Sequence, residues 1–474
     1  MELPPPFSRW RRTLRPSFAK ELPPPLRTPD GATLPDEASL RLFDRLASGL
    51  SPRDVDAVRA ACSADSLDRW LLASSNAWEE AGGPANEAWV FRGLSALGGD
   101  AVVRTVGRRI ERWAKAKHIG WSVHGITVLT NVGSDLAVLT LTRLAQTASD
   151  GRVREEASNA LDRLAGARGV PREELEEAAL PQLGFEEGRA RLSYGPRQFD
   201  VELDEHLVPW VVVDGARQAK APAARKSDDP DEAKEARALF RSWTLELASI
   251  TRTRLRMLEE AMRTERRWSR DELVARWVEP AIVRPLTRRV LFTTSQGVCF
   301  RVDDDGTFAT VDDETLTLDA ADLVGVAHPL PIAEEERARW RRVFEDYALL
   351  PAFPQLDRDV HAWPEDSLAD SVDPRFRGQL VHPARLRRLT ELGWRERGWG
   401  GAVRELTLAL PENVAVHLRF EPGYVVTDLG RSDARVELDD VALEGRRVDF
   451  GDLSPVVRSE LARDLASLHA LLPA

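Results

Sequence analysis

A chain of 474 residues has room for two to four domains at about 150 residues each. Its 43% hydrophobic and 30% charged residues describe a water-soluble globular protein and exclude the collagen-like, wholly disordered and membrane-embedded classes. Lys+Arg total 66 against Asp+Glu 77, and the resulting net charge of -11 argues against a nucleic-acid footprint spread over the whole surface.

Residues 1–35 form a Pro/Arg-rich arm. Phe7, Trp10, Leu14 and Phe18 are expected to pack on the body, with Arg9, Arg11, Arg12 and Arg15 facing solvent. Aromatics interleaved with arginine also suit single-stranded nucleic acid, so a nucleic-acid role through this arm is a further alternative. The arm lacks the apolar core of a signal peptide. No apolar run approaches the roughly 18 residues of a spanning helix, so no membrane partner is expected. Cys62 and Cys299, the two cysteines, form neither a disulfide framework nor a paired zinc site. A bacterial cytoplasmic setting is expected, the arginine-dominated basic residues being those of a GC-rich gene.

Residues 36–189 read as helices throughout. Leu40, Phe43, Leu46 and Leu50 repeat near the 3.6 period, and Ser51-Pro52 opens the next helix. Gly82-Gly83-Pro84, Gly98-Gly99-Asp100, Gly133-Ser134-Asp135 and Gly169-Val170-Pro171 punctuate the series. The stretch from Leu97 is similar to the stretch from Val132, a helix-pair period that predicts HEAT-like stacking.

Residues 190–228 are expected to be a β-hairpin and linker. Phe199, Val201 and Leu203 alternate with acids, the chain turns at Glu205-His206, and Leu207 to Val213 forms a second strand. Gly215 to Asp229 reads as a solvated connection. Residues 229–289 hold a long bridging helix with Leu239, Trp243, Leu247, Ile250, Leu258 and Met262 near one face, then a helix opened by the Ser269/Glu272 capping box.

Residues 290–474 are expected to be a mixed α+β module. A hairpin joins Val290–Thr294 to Val298–Val302, and Phe308 to Val311 follows the Asp303-Asp304-Asp305-Gly306 turn. Helices are predicted over 334–347 and 383–392, and strands over 406–410, 414–420 and 424–429. Ser454-Pro455 opens the closing helix. The fold class is therefore α+β: an N-terminal HEAT-like helical-repeat region followed by a C-terminal module with short antiparallel sheets.

Phosphate-cradling glycine loops, the zinc-binding His-Glu-x-x-His helix and the nucleophile elbow are absent. His118 and His124, six apart, fall on different helix faces and read as packing or surface residues. No metal or cofactor is expected. The most unusual loop is Leu350 to Asp359, where two prolines stiffen a segment carrying Gln355, Asp357 and Arg358. It reads either as a rigid ligand display or as a plug in which Phe353 and Leu356 enter the core while Gln355 and Arg358 cap backbone groups. Tyr194-Gly195-Pro196-Arg197 is either a tight turn with its arginine paired to an acid or a second edge of the same site. His328 and Arg377 complete a candidate ligand-binding set of Arg197, His328, Gln355, Asp357, Arg358 and Arg377.

Together Tyr194 to Phe199, Arg267-Trp268-Ser269, Ala327-His328-Pro329, Leu350 to Arg358 and Ser459 to Leu465 resemble the bacterial domain-of-unknown-function family 4132, whose relatives include the MolR-like proteins. The resemblance spans roughly residues 150 to 470 and implies a helical-repeat part followed by this α+β module. Some members of that family carry a WGR domain, which has no counterpart in this sequence. The resemblance implies no reaction and no catalytic residue. The leading expectation is an adaptor or scaffold that binds a protein or peptide partner through the helical-repeat surface and the C-terminal module. The alternative is an enzyme of unrecognised class using the Arg/His/Asp set.

Overall fold

The computed structural model describes residues 3–181, 183–399, 401–445 and 448–468. Within it the chain divides into two compact units, Met1–Pro181 and Gln182–Ala474.

Among the described residues of the first unit nine α-helices follow one another: α1 (Asp36–Ser48), α2 (Pro52–Ala61), α3 (Ala64–Glu80), α4 (Val90–Leu97), α5 (Asp100–Lys115), α6 (Ile119–Val132), α7 (Asp135–Thr147), α8 (Gly151–Arg168) and α9 (Arg172–Ala178). Their starts are written locally. The Ser51 hydroxyl accepts the Asp54 N–H while the Asp54 carboxylate accepts the Ser51 N–H, and Ser63, Ser134 and Asp150 cap α3, α7 and α8. Each such cap is worth about 1 kcal/mol. Gly133 and Gly169 end α6 and α8 in the left-handed conformation that glycine adopts without strain.

The helices pack in two rows. α4, α6 and α8 touch in one row and α3, α5, α7 and α9 in the other, with α5 on α6 and α7 on α8 joining them. Polar contacts recur with nearly the same sequence interval. Asp68 accepts the Gly99 N–H at 2.8 Å, 31 residues on, and Asp100 accepts the Ser134 hydroxyl at 2.6 Å, 34 residues on. Arg109 donates to Ser75 at 2.5 Å and Thr142 to Glu176 at 3.2 Å, each across 34 residues. One helix pair is thus pinned to the next at matching positions.

The N-terminal arm lies on the first helices of this unit. Phe7, Trp10 and Phe18 are buried, Arg9, Arg11, Arg12 and Arg15 are exposed, and Arg41 donates to the Phe7 carbonyl at 2.6 Å. Phe18 joins Phe43, Trp70 and Trp89 in an aromatic cluster whose closest rings, Phe43 and Trp70, are 4.5 Å apart. Phe7 and Trp10 pack edge to face on each other, 5.5 Å apart.

The second unit starts with a four-stranded antiparallel sheet of β1 (Arg189–Ser193), β2 (Gln198–Leu203), β3 (Pro209–Val213) and β4 (Ala216–Gln218). Two expectations change here. The β2–β3 turn is a five-residue loop rather than a two-residue one, because Leu207 adopts φ 60 and the Asp204 carboxylate gathers the N–H groups of His206 and Val208. The supposed linker contributes β4, because Asp214 and Gly215, at φ 49 and 79, form the two-residue turn that Asp-Gly favours between strands.

The long helix α10 (Pro230–Thr264) opens at Asp229, whose carboxylate accepts the N–H groups of Asp231 and Glu232 at 2.9 Å. It lies wholly in the second unit and touches β1, β3 and, further on, the five-stranded sheet. Its buried stripe runs through Phe240, Trp243, Leu247, Ile250, Leu258 and Met262, while Leu239 faces outward. The stripe is the expected one except at its start, where Phe240 takes the inward place expected of Leu239.

The five-stranded sheet has the order β5-β9-β6-β7-β8, formed by β5 (Arg267–Ser269), β6 (Phe292–Thr294), β7 (Cys299–Val302), β8 (Phe308–Ala309) and β9 (Leu323–Val326). The short helices α11 (Arg270–Leu273) and α12 (Arg284–Thr287) lie between β5 and β6, and α13 (Glu334–Asp346) follows β9. Leu291, Cys299, Ala327, Trp340, Phe344 and Leu356 make its core.

The last sheet has β15 (Val436–Glu444), β14 (Val414–Tyr424), β13 (Ala402–Leu410) and β12 (Arg395–Trp399) in spatial order, with the two-residue strands β10 (Val372–Asp373) and β11 (Leu380–Val381) both on the outer side of β15. Helices α14 (Pro383–Leu389) and α15 (Pro455–Ser467) belong to the same core as this sheet, through Leu386, Leu389, Leu461 and Leu465. The strand expected over 424–429 is instead the end of β14 followed by a 3-10 turn, Val426–Gly430. The Asp428 carboxylate accepts the Val425 N–H at 2.9 Å, a local bond that competes with a strand ladder. The molecule is thus α+β, with helix pairs first and antiparallel sheets after.

Candidate functional site

The six candidate residues take different places. Arg197 sits in a tight turn with Gly195 at φ 81 and grips Asp228 with two donors, at 2.8 and 2.6 Å; that guanidinium holds the Asp228 carboxyl down at about 2. Arg377 pairs with Asp440 at the surface. Asp357 is exposed and accepts from Arg341 at 2.9 Å. Gln355 is buried and brackets backbone: its Oε1 accepts the Leu291 N–H at 2.9 Å and its Nε2 donates to the Leu291 and Ala327 carbonyls at 2.7 Å. Phe353 and Leu356 are buried on either side. The proline-stiffened loop is thus a plug with an amide clasp.

The two remaining residues, His328 and Arg358, meet on a carboxylate absent from the expected set, Glu460 of α15. Glu460 Oε1 accepts from Arg358 Nε at 2.7 Å and lies 3.1 Å from His328 Nε2. Its Oε2 accepts from Arg358 Nη2 at 2.7 Å and Arg263 Nε at 3.0 Å. His328 Nδ1 accepts the Leu330 N–H at 3.1 Å, which places the ring proton on Nε2, toward Glu460. Arg358 also reaches Glu259 at 2.7 Å. Arg263 binds Asp464, which receives the Trp394 indole N–H at 2.7 Å.

The side chains of Arg263, Arg358, His328, Glu460 and Asp464 are at most 3% exposed. Burial alone would push Glu460 up, but hydrogen bonds from Arg358 and His328, with the charges of Arg358 and Arg263, hold it well below the usual carboxylate range. For Asp464, burial wins and its carboxyl is pushed up. With both oxygens of Glu460 doubly engaged and both nitrogens of His328 in use, the cluster holds charge and joins five chain segments.

Glu460, Asp464, Arg263, Glu259 and Trp394 were missed as members. A signal existed: Glu460 and Asp464 stand four apart on one helix face in a phrase that carries the family resemblance, as do His328 and Arg358. Three of those phrases therefore converge on one buried point.

Elsewhere, burial pushes the Cys62 and Cys299 thiols up to about 12, far from the thiolate a nucleophile needs. His118 stacks on Trp121 at 4.2 Å and His124 lies against Phe91 at 5.2 Å. The Asp303 to Gly306 segment is a turn, closed by the Gly306 N–H on the Asp303 carbonyl. Among the described residues no group of three His, Cys, Asp or Glu side chains could hold a metal ion, and no helix is long and apolar enough to cross a membrane.

Comparison with known proteins gives three findings. The chain is 30% identical over 381 residues to the uncharacterized protein YehI of Escherichia coli (strain K12), an alignment that covers 78% of this chain and 31% of that protein; the chain thus spans about a third of its relative's length. No solved structure matches. Residues 215–394 match the model of the domain of unknown function DUF4132, the family that the phrases around His328 and Arg358 resemble.

Proposed function

We propose that this protein is a cytoplasmic bacterial adaptor or scaffold that holds a protein or peptide partner on the surface of its stacked, HEAT-like helix pairs, the DUF4132 module contributing a second contact. The observation that carries this reading is the two-row packing of α3 to α9, pinned by polar contacts 31 to 34 residues apart. Units stacked in this way present an extended side-chain surface suited to a macromolecular partner. Arg108, Lys115 and Lys117 stand exposed on and just after α5 and give that surface a basic stretch for an acidic partner. Of the six polar residues of the enzyme alternative, Arg197, Arg377 and Asp357 sit in separate ion pairs and Gln355 in a backbone clasp, while His328 and Arg358 meet on Glu460, whose two oxygens are taken up by protein donors.

The test uses the whole chain as bait in a lysate of its own bacterium. A partner should be retained by the parent protein and lost from Arg108→Glu/Lys115→Glu, two solvent-facing changes that leave the helix core intact. A partner held equally by both, or one that survives deletion of residues 36–183, overturns the proposal.

A further inference from the structure

A polar cleft of about 670 Å³ opens inside the second unit, away from the Glu460 cluster. One wall is the outward face of the four-stranded sheet, where Arg189 stands opposite Glu202 in register and Arg217 reaches the same Glu202 at 3.1 Å. The other wall is the segment around α12 with the turn after β7. It carries Glu279, Arg284, Arg288 and Asp304, and Glu187 also lines the cleft. Arg284 is braced on the Val278 and Glu279 carbonyls at 2.7 and 3.3 Å, and Arg288 pairs with Asp304 at 2.5 Å.

The chemistry of these walls selects the ligand. Leu203, Ala281 and Pro285 are the apolar side chains in the lining, and charged side chains outnumber them. Each wall carries both signs of charge, so a purely anionic or purely cationic ligand meets a like charge on either side. The volume lies within the range of a drug-sized ligand, about 300 to 1,000 Å³, and suits a short run of residues. Arginines held by backbone carbonyls or carboxylates are already oriented before anything binds, which lowers the ordering cost of recognition.

We propose that this cleft binds an extended peptide segment carrying acidic and basic side chains in alternation. The inference rests on the adaptor reading and supplies its second contact. The test is a selection of random octapeptides displayed on phage against the full chain, followed by fluorescence anisotropy of the enriched peptide. Enriched sequences should contain both signs of charge. Their affinity should fall at least tenfold in Arg217→Glu/Glu279→Lys, a double variant that keeps the net charge and alters one exposed residue on each wall. Enrichment of all-acidic or apolar sequences, no enrichment, or equal binding to parent and variant overturns the proposal. Arg108→Glu/Lys115→Glu should bind the peptide normally, so failure of the cleft and failure of the helical surface are read separately.

Discussion

Glu460 carries four polar contacts on two oxygens with almost no exposure to water, so its charge is worth most where water cannot replace it. Glu460→Gln keeps the shape and removes the charge, leaving two buried guanidiniums short of a counter-ion. Breaking a buried pair in this way costs about 3 to 5 kcal/mol, and chemical denaturation should show a loss of that size. Its folded value is depressed, so its contribution is present above the unfolded value near 4.5 and is lost as pH falls toward the folded one. The same sign holds at Asp228: the benefit of the Arg197 pair is present above about 3.8 and fades toward about 2. Carboxyl titration by NMR should find Asp228 moving back up in Arg197→Ala. An unchanged titration would mean that backbone donors, not Arg197, hold it down.

At the scale of elements, the turn between α3 and α4 tests how closely helix pairs fit. Gly82 and Gly83 both have positive φ, 83 and 68, but a Cβ at Gly83 would lie 2.1 Å from the Trp121 ring while one at Gly82 would meet nothing within 4 Å. Both alanine variants bear the backbone cost of about 1 kcal/mol or more. Gly83→Ala should be measurably the less stable of the two in denaturant, because Trp121 must leave its place against Trp78 and His118. Helix starts of this kind were legible from sequence because Ser51, Ser134, Asp229, Ser269 and Ser454 act on N–H groups within three residues. The Asp214-Gly215 turn was equally local, yet the polar stretch after it masked a three-residue strand with no buried face. What could not be read was long-range. His328, Arg358 and Glu460 are brought together across 132 and 102 residues, and no spacing rule reaches that far. Gln355 was left open in sequence between ligand display and backbone cap for a related reason: its amide is spent on the Leu291 and Ala327 backbone, whose unpaired groups only the fold creates.

For the whole molecule, the family match ends at residue 394, but the cluster that organises the matched region does not. Arg263, His328, Arg358 and Trp394 lie inside the match, while Glu460 and Asp464, their carboxylate partners, lie beyond it on α15. The physical module therefore extends at least through α15, which also supplies Leu461 and Leu465 to the core of the last sheet. The first unit has its own core, built on Phe18, Phe43, Trp70, Leu94, Val106 and Leu141. Hydrogen exchange separates the two: Glu460→Gln should speed exchange across α10, β9 and α15 and leave α3 to α8 protected as before, since local stability follows the core to which an element belongs. If protection in α3 to α8 fell in step with that of α15, the two units would share one cooperative transition, and the DUF4132 module could not be treated as a body that loosens by itself.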